Sequence, residues 1–152
     1  MRSTKFVILH HTPRQGENNQ LDADTHQRVT NFEPHWDFMI QQGEVLTTWQ
    51  LYRDPTSHDT VWPIRAVRIQ DHRLHYLTYE GEISHGRGWV RRVAEGMLTI
   101  MTSDSNRLSL DCHSPQLTGR FDLVAVPQER TSEEETKRQA NPNLNEWTFA
   151  KA

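Results

Sequence analysis

His35-Trp36-Asp37-Phe38-Met39-Ile40-Gln41-Gln42 (residues 35–42), a glycine at 43, and Glu44-Val45-Leu46-Thr47-Thr48-Trp49-Gln50-Leu51-Tyr52 (residues 44–52) form the stretch that decides the fold. Both halves are rich in residues that suit a pleated, half-buried surface. A glycine splits them, which is the pattern of a β-hairpin. Side chains of an extended chain alternate between faces. Trp36, Phe38 and Ile40 therefore share an apolar face, while His35, Asp37 and Met39 share the other. Packing does not call for a histidine and an aspartate side by side. An imidazole and a carboxylate that project together are two-thirds of a common divalent-metal site.

The rest of the chain extends this β pattern. Phe6–His11 reads as a strand before the hairpin, separated from it by a polar insert, 12–34, that is long for a loop in a compact domain. Arg53–Thr60 is a turn-rich loop around Asp54-Pro55. Val61–Asp71 alternates, with Ile64, Ala66 and Arg68 on one face and Arg65, Val67 and Ile69 on the other, and His72–Ile83 continues it as extended chain. Trp89–Glu95, Met97–Ser103, Arg107–Cys112 and Arg120–Val126 are further strands, with turns at Gly96 and at Asp104-Ser105-Asn106. A polar loop, 127–145, carries one or two helical turns over Glu133–Arg138, and Glu146–Lys151 closes the chain as a last strand. Eight to ten short strands with few short helices predict one all-β domain over residues 1–152. A small closed or partly closed β-barrel with a polar active-site cavity is the expected form, because closure removes exposed strand edges. A sandwich meets the same strand pattern.

Composition narrows the function classes. Only 34% of the 152 residues are hydrophobic, but five Trp, five Phe and three Tyr bury much area each. The formal charge is −3 with nine His counted neutral, which excludes a globally basic nucleic-acid binder and leaves only local contact. One cysteine, Cys112, permits no intrachain disulfide and suits a reducing compartment. The apolar run Phe6–Leu9 is too short for a secretory signal, and no stretch has the length of a membrane span. The expected setting is the cytoplasm.

A metal at His35 and Asp37 needs further ligands. His10 and His11 end the first strand, and strand ends hold ligands in fixed positions. His26, His58, His85 and His113 lie in or near loops, and His72 and His75 sit in Asp71–Tyr76. If that segment is extended, His72 and Tyr76 share a face from which both reach a bound anion. Gly86-Arg87-Gly88 permits close approach of backbone to a ligand, and Arg87, Arg91 and Arg92 lie close together. Arg91 and Arg92 point to opposite faces of a strand, so at most one of them serves the site. Cys112 and His113 also face opposite ways, so water rather than a cysteine is the expected nucleophile.

The order of these motifs resembles the 3′-phosphoesterase domain of bacterial DNA ligase D and its free-standing relatives. The resemblance runs through Phe6-Val7-Ile8…His11, His35-Trp36-Asp37-Phe38 and Gly43-Glu44-Val45-Leu46…Trp49. It continues through Ala66-Val67…Asp71-His72…Tyr76, Tyr79-Glu80-Gly81, Gly119-Arg120-Phe121…Leu123-Val124 and Trp147…Lys151. It implies a small β-barrel with a polar, hydrated active site inside. The implied activity is removal of a 3′-ribonucleoside and then a 3′-phosphate from DNA or primer-template ends, leaving a 3′-OH. It implies Mn²⁺, or another divalent metal, held by His11, His35 and Asp37, with His10 and His26 as rivals to His11 because of the 12–34 insert. His72 then contacts the phosphate and Tyr76 takes the place of a family tyrosine. The implied partners are DNA or RNA–DNA 3′ ends and a repair polymerase or ligase.

The sequence departs from that pattern where the family carries arginines: Met39 stands two residues after the metal aspartate, and Ile64 precedes the strand leading to His72. Arg68, in phase with His72 along an unbroken strand, is expected to substitute as a catalytic cation, with Arg65 and Arg87 as phosphate-binding groups. Loss of both arginines also fits a catalytically inactive metal-binding or DNA-end-binding module. A non-haem iron oxygenase built on a His35, Asp37 and His113 triad is the reading from a different class.

Overall fold

The structure, a computed structural model, describes residues 1–12, 33–83, 86–127 and 145–152. The expected helical turns at Glu133–Arg138, and His26 and His85, lie outside the described residues. The strands are β1 (Arg2–Thr12), β2 (His35–Gln42), β3 (Val45–Leu51), β4 (Ile64–Arg73), β5 (Gly81–Glu82), β6 (Trp89–Ser103), β7 (Arg107–His113), β8 (Thr118–Ala125) and β9 (Glu146–Lys151). They pair in the order β1-β2-β3-β4-β9-β8-β7-β6, and β1 also pairs with β6, so eight antiparallel strands close into a barrel. The two-residue β5 is appended to β6. No helix among the described residues is long and apolar enough to cross a membrane.

Alternation along every strand fills the barrel. Phe6 and Ile8 of β1, Phe38 and Ile40 of β2, Trp49 and Leu51 of β3, Leu110 of β7 and Phe149 of β9 belong to one buried cluster. Its rings interlock: Phe38 stacks on Phe6 with centroids 5.6 Å apart and meets Phe149 edge-on at 5.2 Å, while Trp49 meets Trp147 at 5.6 Å. Each such side chain contributes about 1.5–3 kcal/mol when fully buried. The alternate residues of β1, β2 and β3 lie on the outer face of the wall. There Val7, Leu9, Met39, Leu46 and Val90 form a second apolar cluster, covered by Leu74, Tyr76, Leu77, Tyr79 and Ile83. The hairpin register follows from a two-residue turn opened by Gly43, whose φ of 64° is in the left-handed region.

Three expected features take a different form. Gly96 does not mark a turn: β6 runs through it as one strand of 15 residues. Extra residues on β6 at Val93 and Met101 form bulges, which bend the strand so that it pairs with both β1 and β7. Gly96 is there for space, since a Cβ at this position would lie 2.5 Å from the Cβ of Ser114 and 2.6 Å from the carbonyl oxygen of His113. The segment from His72 to Ile83 is not extended either: Leu74–Leu77 is a 3₁₀ turn. The site that the resemblance places inside the barrel lies on the outer face of its wall instead, because aromatic residues occupy the interior.

Gly96→Ala should lower the unfolding free energy by about 1–3 kcal/mol, the usual range for overpacking. Gly43→Asn, at an open position and with a residue that tolerates a left-handed backbone, should stay within about 0.5 kcal/mol of the parent. Urea titrations measure both, and an unchanged midpoint for Gly96→Ala would refute the close passage of the Ser114 turn.

Candidate metal centre

Antiparallel pairing sets His11 of β1 directly opposite His35 of β2, and Asp37 lies two residues along the same face. His11 Nδ1 is 3.1 Å from His35 Nε2 and 4.0 Å from Asp37 Oδ2, and His35 Nε2 is 3.3 Å from Asp37 Oδ1. One ligand atom from each residue lies within 4.8 Å of the other two. Both imidazoles are oriented from behind by backbone. His35 Nδ1–H donates to the carbonyl of Glu33 at 3.1 Å, and His11 Nε2–H donates to the carbonyl of Arg87 at 2.7 Å. A carbonyl only accepts, so each ring carries its proton on the outer nitrogen. In the neutral rings the inner nitrogens then present lone pairs to one another and to the carboxylate.

This arrangement fits a divalent ion. Asp37 is buried, and its Oδ1 has no hydrogen-bond partner. The His35 contact at 3.3 Å is a charge contact without hydrogen-bond geometry. Three lone-pair donors crowded at the wall need a proton or a cation between them, and outer-nitrogen bonds to carbonyls are the usual support of metal-binding histidines. Without an ion, burial opposes a charge on His35 but the Asp37 carboxylate outweighs it, so its pKa lies above the ordinary value. Burial holds that of His11 below it. Two imidazoles and a carboxylate suit Mn²⁺, Fe²⁺ or Zn²⁺, so the donor set by itself does not choose the metal.

The centre opens into a cavity of about 840 Å³. His72 lines it, with Nδ1–H donating to the Gln70 carbonyl at 3.0 Å, and Tyr76 stands edge-on to His72 at 5.5 Å. Arg68 and Arg87 bring positive charge to the same cavity. Arg68 is not in phase with His72 as an unbroken strand would have it. Thr48 pairs with Ile69 and Leu46 with His72, so β4 carries one extra residue between them and the phase shifts. Arg68 instead lies over the Trp49 ring at 4.9 Å, with Asp71 at 3.6 Å, and borders the cavity from the other side of the strand.

The structure does not bring Arg65 to this cavity. Its guanidinium donates to both carboxylate oxygens of Glu146, at 2.8 and 3.2 Å, and covers Tyr52. Ile64 is buried in the barrel core. His10 faces the opposite side of β1 from His11 and stacks on Trp36 at 4.6 Å. His113 is paired with Asp111 on β7, across the barrel, so the triad of His35, Asp37 and His113 does not assemble. Cys112 is buried, and desolvation pushes its thiol up to about 12, which leaves no thiolate for nucleophilic use.

Gln50 and Asn145 also line the cavity, and neither stands out in the sequence. Gln50 pairs with Asp37 in the hairpin, and its amide lies 3.5 Å from His35 Nε2. The register implied by a turn at Gly43 contained that signal. Asn145 accepts the backbone N–H of Arg68 at 2.9 Å and the indole N–H of Trp147 at 3.0 Å. Its sequence position, at the end of a polar stretch, carries no such signal.

A family model described as the DNA Ligase D 3′-phosphoesterase domain matches residues 24–125. That span holds His35, Asp37, Arg68, His72, Tyr76 and Arg87. The multifunctional non-homologous end joining protein LigD of Mycobacterium bovis is 24% identical over 144 residues, covering 89% of this chain and 18% of the relative. The multifunctional non-homologous end joining DNA repair protein LigD of Mycobacterium tuberculosis matches equally well over the same shares. The chain thus spans less than a fifth of the length of these curated relatives. With the model matching well over half of the chain, the protein belongs to the DNA ligase D 3′-phosphoesterase domain family.

Proposed function

We propose that this chain is a metal-dependent phosphoesterase that processes the 3′ ends of DNA or of primer-templates, removing a 3′-ribonucleoside and then a 3′-phosphate to leave a 3′-OH. The observation that carries the reading is the convergence of the lone pairs of His11, His35 and Asp37 at the floor of a cavity bordered by Arg68, Arg87 and His72. Such a cavity favours a ligand that brings negative charge. Mn²⁺ is the proposed ion, the cytoplasm the proposed setting, and a repair polymerase or ligase the proposed partner.

The residues divide the work. His11, His35 and Asp37 would hold a divalent ion, which would supply Lewis acidity to a phosphate and acidify water. Arg68 and Arg87 offset the charge of the phosphate oxygens. The Gln70 carbonyl fixes Nδ1 of His72 as a donor, which leaves Nε2 of the neutral ring to take up a proton; the imidazolium so formed donates to a phosphate oxygen. Tyr76 supports the His72 ring edge-on and lines the same cavity. Met39 supplies no charge: it is 1% exposed, between the site and the apolar cluster of Val7, Leu9, Leu46 and Val90.

Mn²⁺ binding, followed by electron paramagnetic resonance, should weaken at least tenfold in His11→Ala, His35→Ala and Asp37→Ala, because even outer-shell losses cost 10–100-fold at metal sites. It should not change in His113→Ala. Unchanged binding in the first three variants would remove the metal centre.

Labelled primer-templates ending in a 3′-phosphate or a 3′-ribonucleotide test the reaction. The parent should release label with Mn²⁺ and not after chelation. Arg68→Ala should slow turnover by roughly a hundredfold, the cost of one charge-stabilising donor. Arg65→Ala should stay within about twofold. Metal binding without turnover would favour the end-binding module instead, a reading supported by the apolar Met39.

Met39→Arg should lower the unfolding free energy by at least about 1–3 kcal/mol without raising turnover, since the cluster has no room for a guanidinium. Faster turnover at unchanged stability would show a berth for a cation that the packing of Met39 argues against.

A further inference from the structure

The 3₁₀ turn Leu74–Leu77 and the residues that flank it carry a ladder of rings leading out of the cavity. Tyr76 stands edge-on to His72, His75 lies against Tyr76 at 4.1 Å, and Tyr79 stands perpendicular to Tyr76 at 6.0 Å. His75, Tyr76 and Tyr79, with Glu82 and Ile83, line a second cavity of about 340 Å³. Tyr76 and Ile83 also line the metal cavity, so the two adjoin.

This second cavity has its own chemistry. Its walls include the rings of His75, Tyr76 and Tyr79, which brace one another. The backbone N–H groups of Thr78 and Tyr79 both donate to the His75 carbonyl, at 3.2 and 3.1 Å, and the Tyr79 hydroxyl donates to the carbonyl of Glu82. A wall ordered in advance loses little freedom when a ligand stacks on it. The carboxylate of Glu82 accepts hydrogen bonds and repels phosphate. A flat ligand with N–H donors on its edge suits such a cleft, and a nucleobase has both properties. The charges of the two cavities differ in the sense that would sort a nucleotide, phosphate toward Arg68 and Arg87 and base toward the rings of His75, Tyr76 and Tyr79.

We propose that the His75–Tyr76–Tyr79 cleft binds one unpaired base of the strand whose 3′ end occupies the metal cavity, drawn out of the helical stack at or next to the terminus. The proposal rests on the phosphoesterase reading of the adjoining cavity and extends it from the phosphate to the base. Stacking on the cleft offsets the loss of stacking and pairing in the duplex.

The test uses the Mn²⁺-loaded protein and 3′-phosphate primer-templates with an abasic site at the last, second-last or third-last nucleotide. KM should rise about tenfold at one of these positions, in line with the loss of one stacked base. Tyr79→Ala should raise KM on intact DNA by a similar factor and erase the abasic effect. Tyr79→Phe, which keeps the ring, should remain within about threefold of the parent. His75→Ala, at an exposed position, should raise KM in the same direction and does not depend on Tyr79→Ala folding. A readout without turnover is 2-aminopurine at the sensitive position, or at each of the three in turn, in DNA ending in 3′-OH. Its fluorescence should be quenched by the parent and not by Tyr79→Ala. Turnover with parent KM on all three abasic substrates, or a quench unaffected by Tyr79→Ala, overturns the cleft. A Tyr79-dependent quench with no turnover keeps the cleft and removes the phosphoesterase reading.

Discussion

The pairing of β1 with β2, with His11 facing His35, is the constraint on which the site depends. Strand pleating then places Asp37 on the same side, and backbone carbonyls of Glu33 and Arg87 turn both rings inward. No single element builds the centre. A shift of register by one residue would exchange His11 for His10, whose ring belongs to the Trp36 stack on the other face. The barrel resists that slip, because it would also move Phe6 and Ile8 out of the core and Val7 and Leu9 into it.

One wall thus serves two surfaces. Its inner face is filled by large apolar side chains, which leaves the outer face to hold polar ones. The outer face is not simply solvated, since Met39, Leu46 and Val90 bury a second apolar cluster beside the ligands. That cluster lowers the local polarity around Asp37 and strengthens its pull on any cation. Met39 is therefore part of a packed layer, and replacing it with a cation affects stability as well as charge.

The legible part of this molecule was whatever depends on alternation alone. The shared face of His35 and Asp37, the inward face of Trp36, Phe38 and Ile40, and the hairpin at Gly43 follow from a period of two. The association of His11 with them came from motif order, since 23 residues separate it from His35. What escaped depends on irregularity. The bulge in β4 reverses the phase between Arg68 and His72, and nothing in Ile69–Asp71 announces an extra residue. Gly96 looks like a turn but provides clearance for the Ser114 segment, a contact 18 residues away. The 3₁₀ turn at Leu74 replaces strand because the segment must fold over Leu46 and Met39.

The Gly86-Arg87-Gly88 segment permits close approach of backbone, and the group it approaches is the His11 ring. Gly86 and Gly88 have φ of 66° and 98°, conformations that side chains rarely adopt, and between them the Arg87 carbonyl meets Nε2–H. The same segment is tied to the far side of its loop, where Ile83 N–H donates to the Gly88 carbonyl at 2.8 Å. The placement of the His11 ring thus depends on the backbone of residues 86–88. A side chain added at Gly86 or Gly88, where φ is positive, would therefore disturb the imidazole of His11 and not only the local chain.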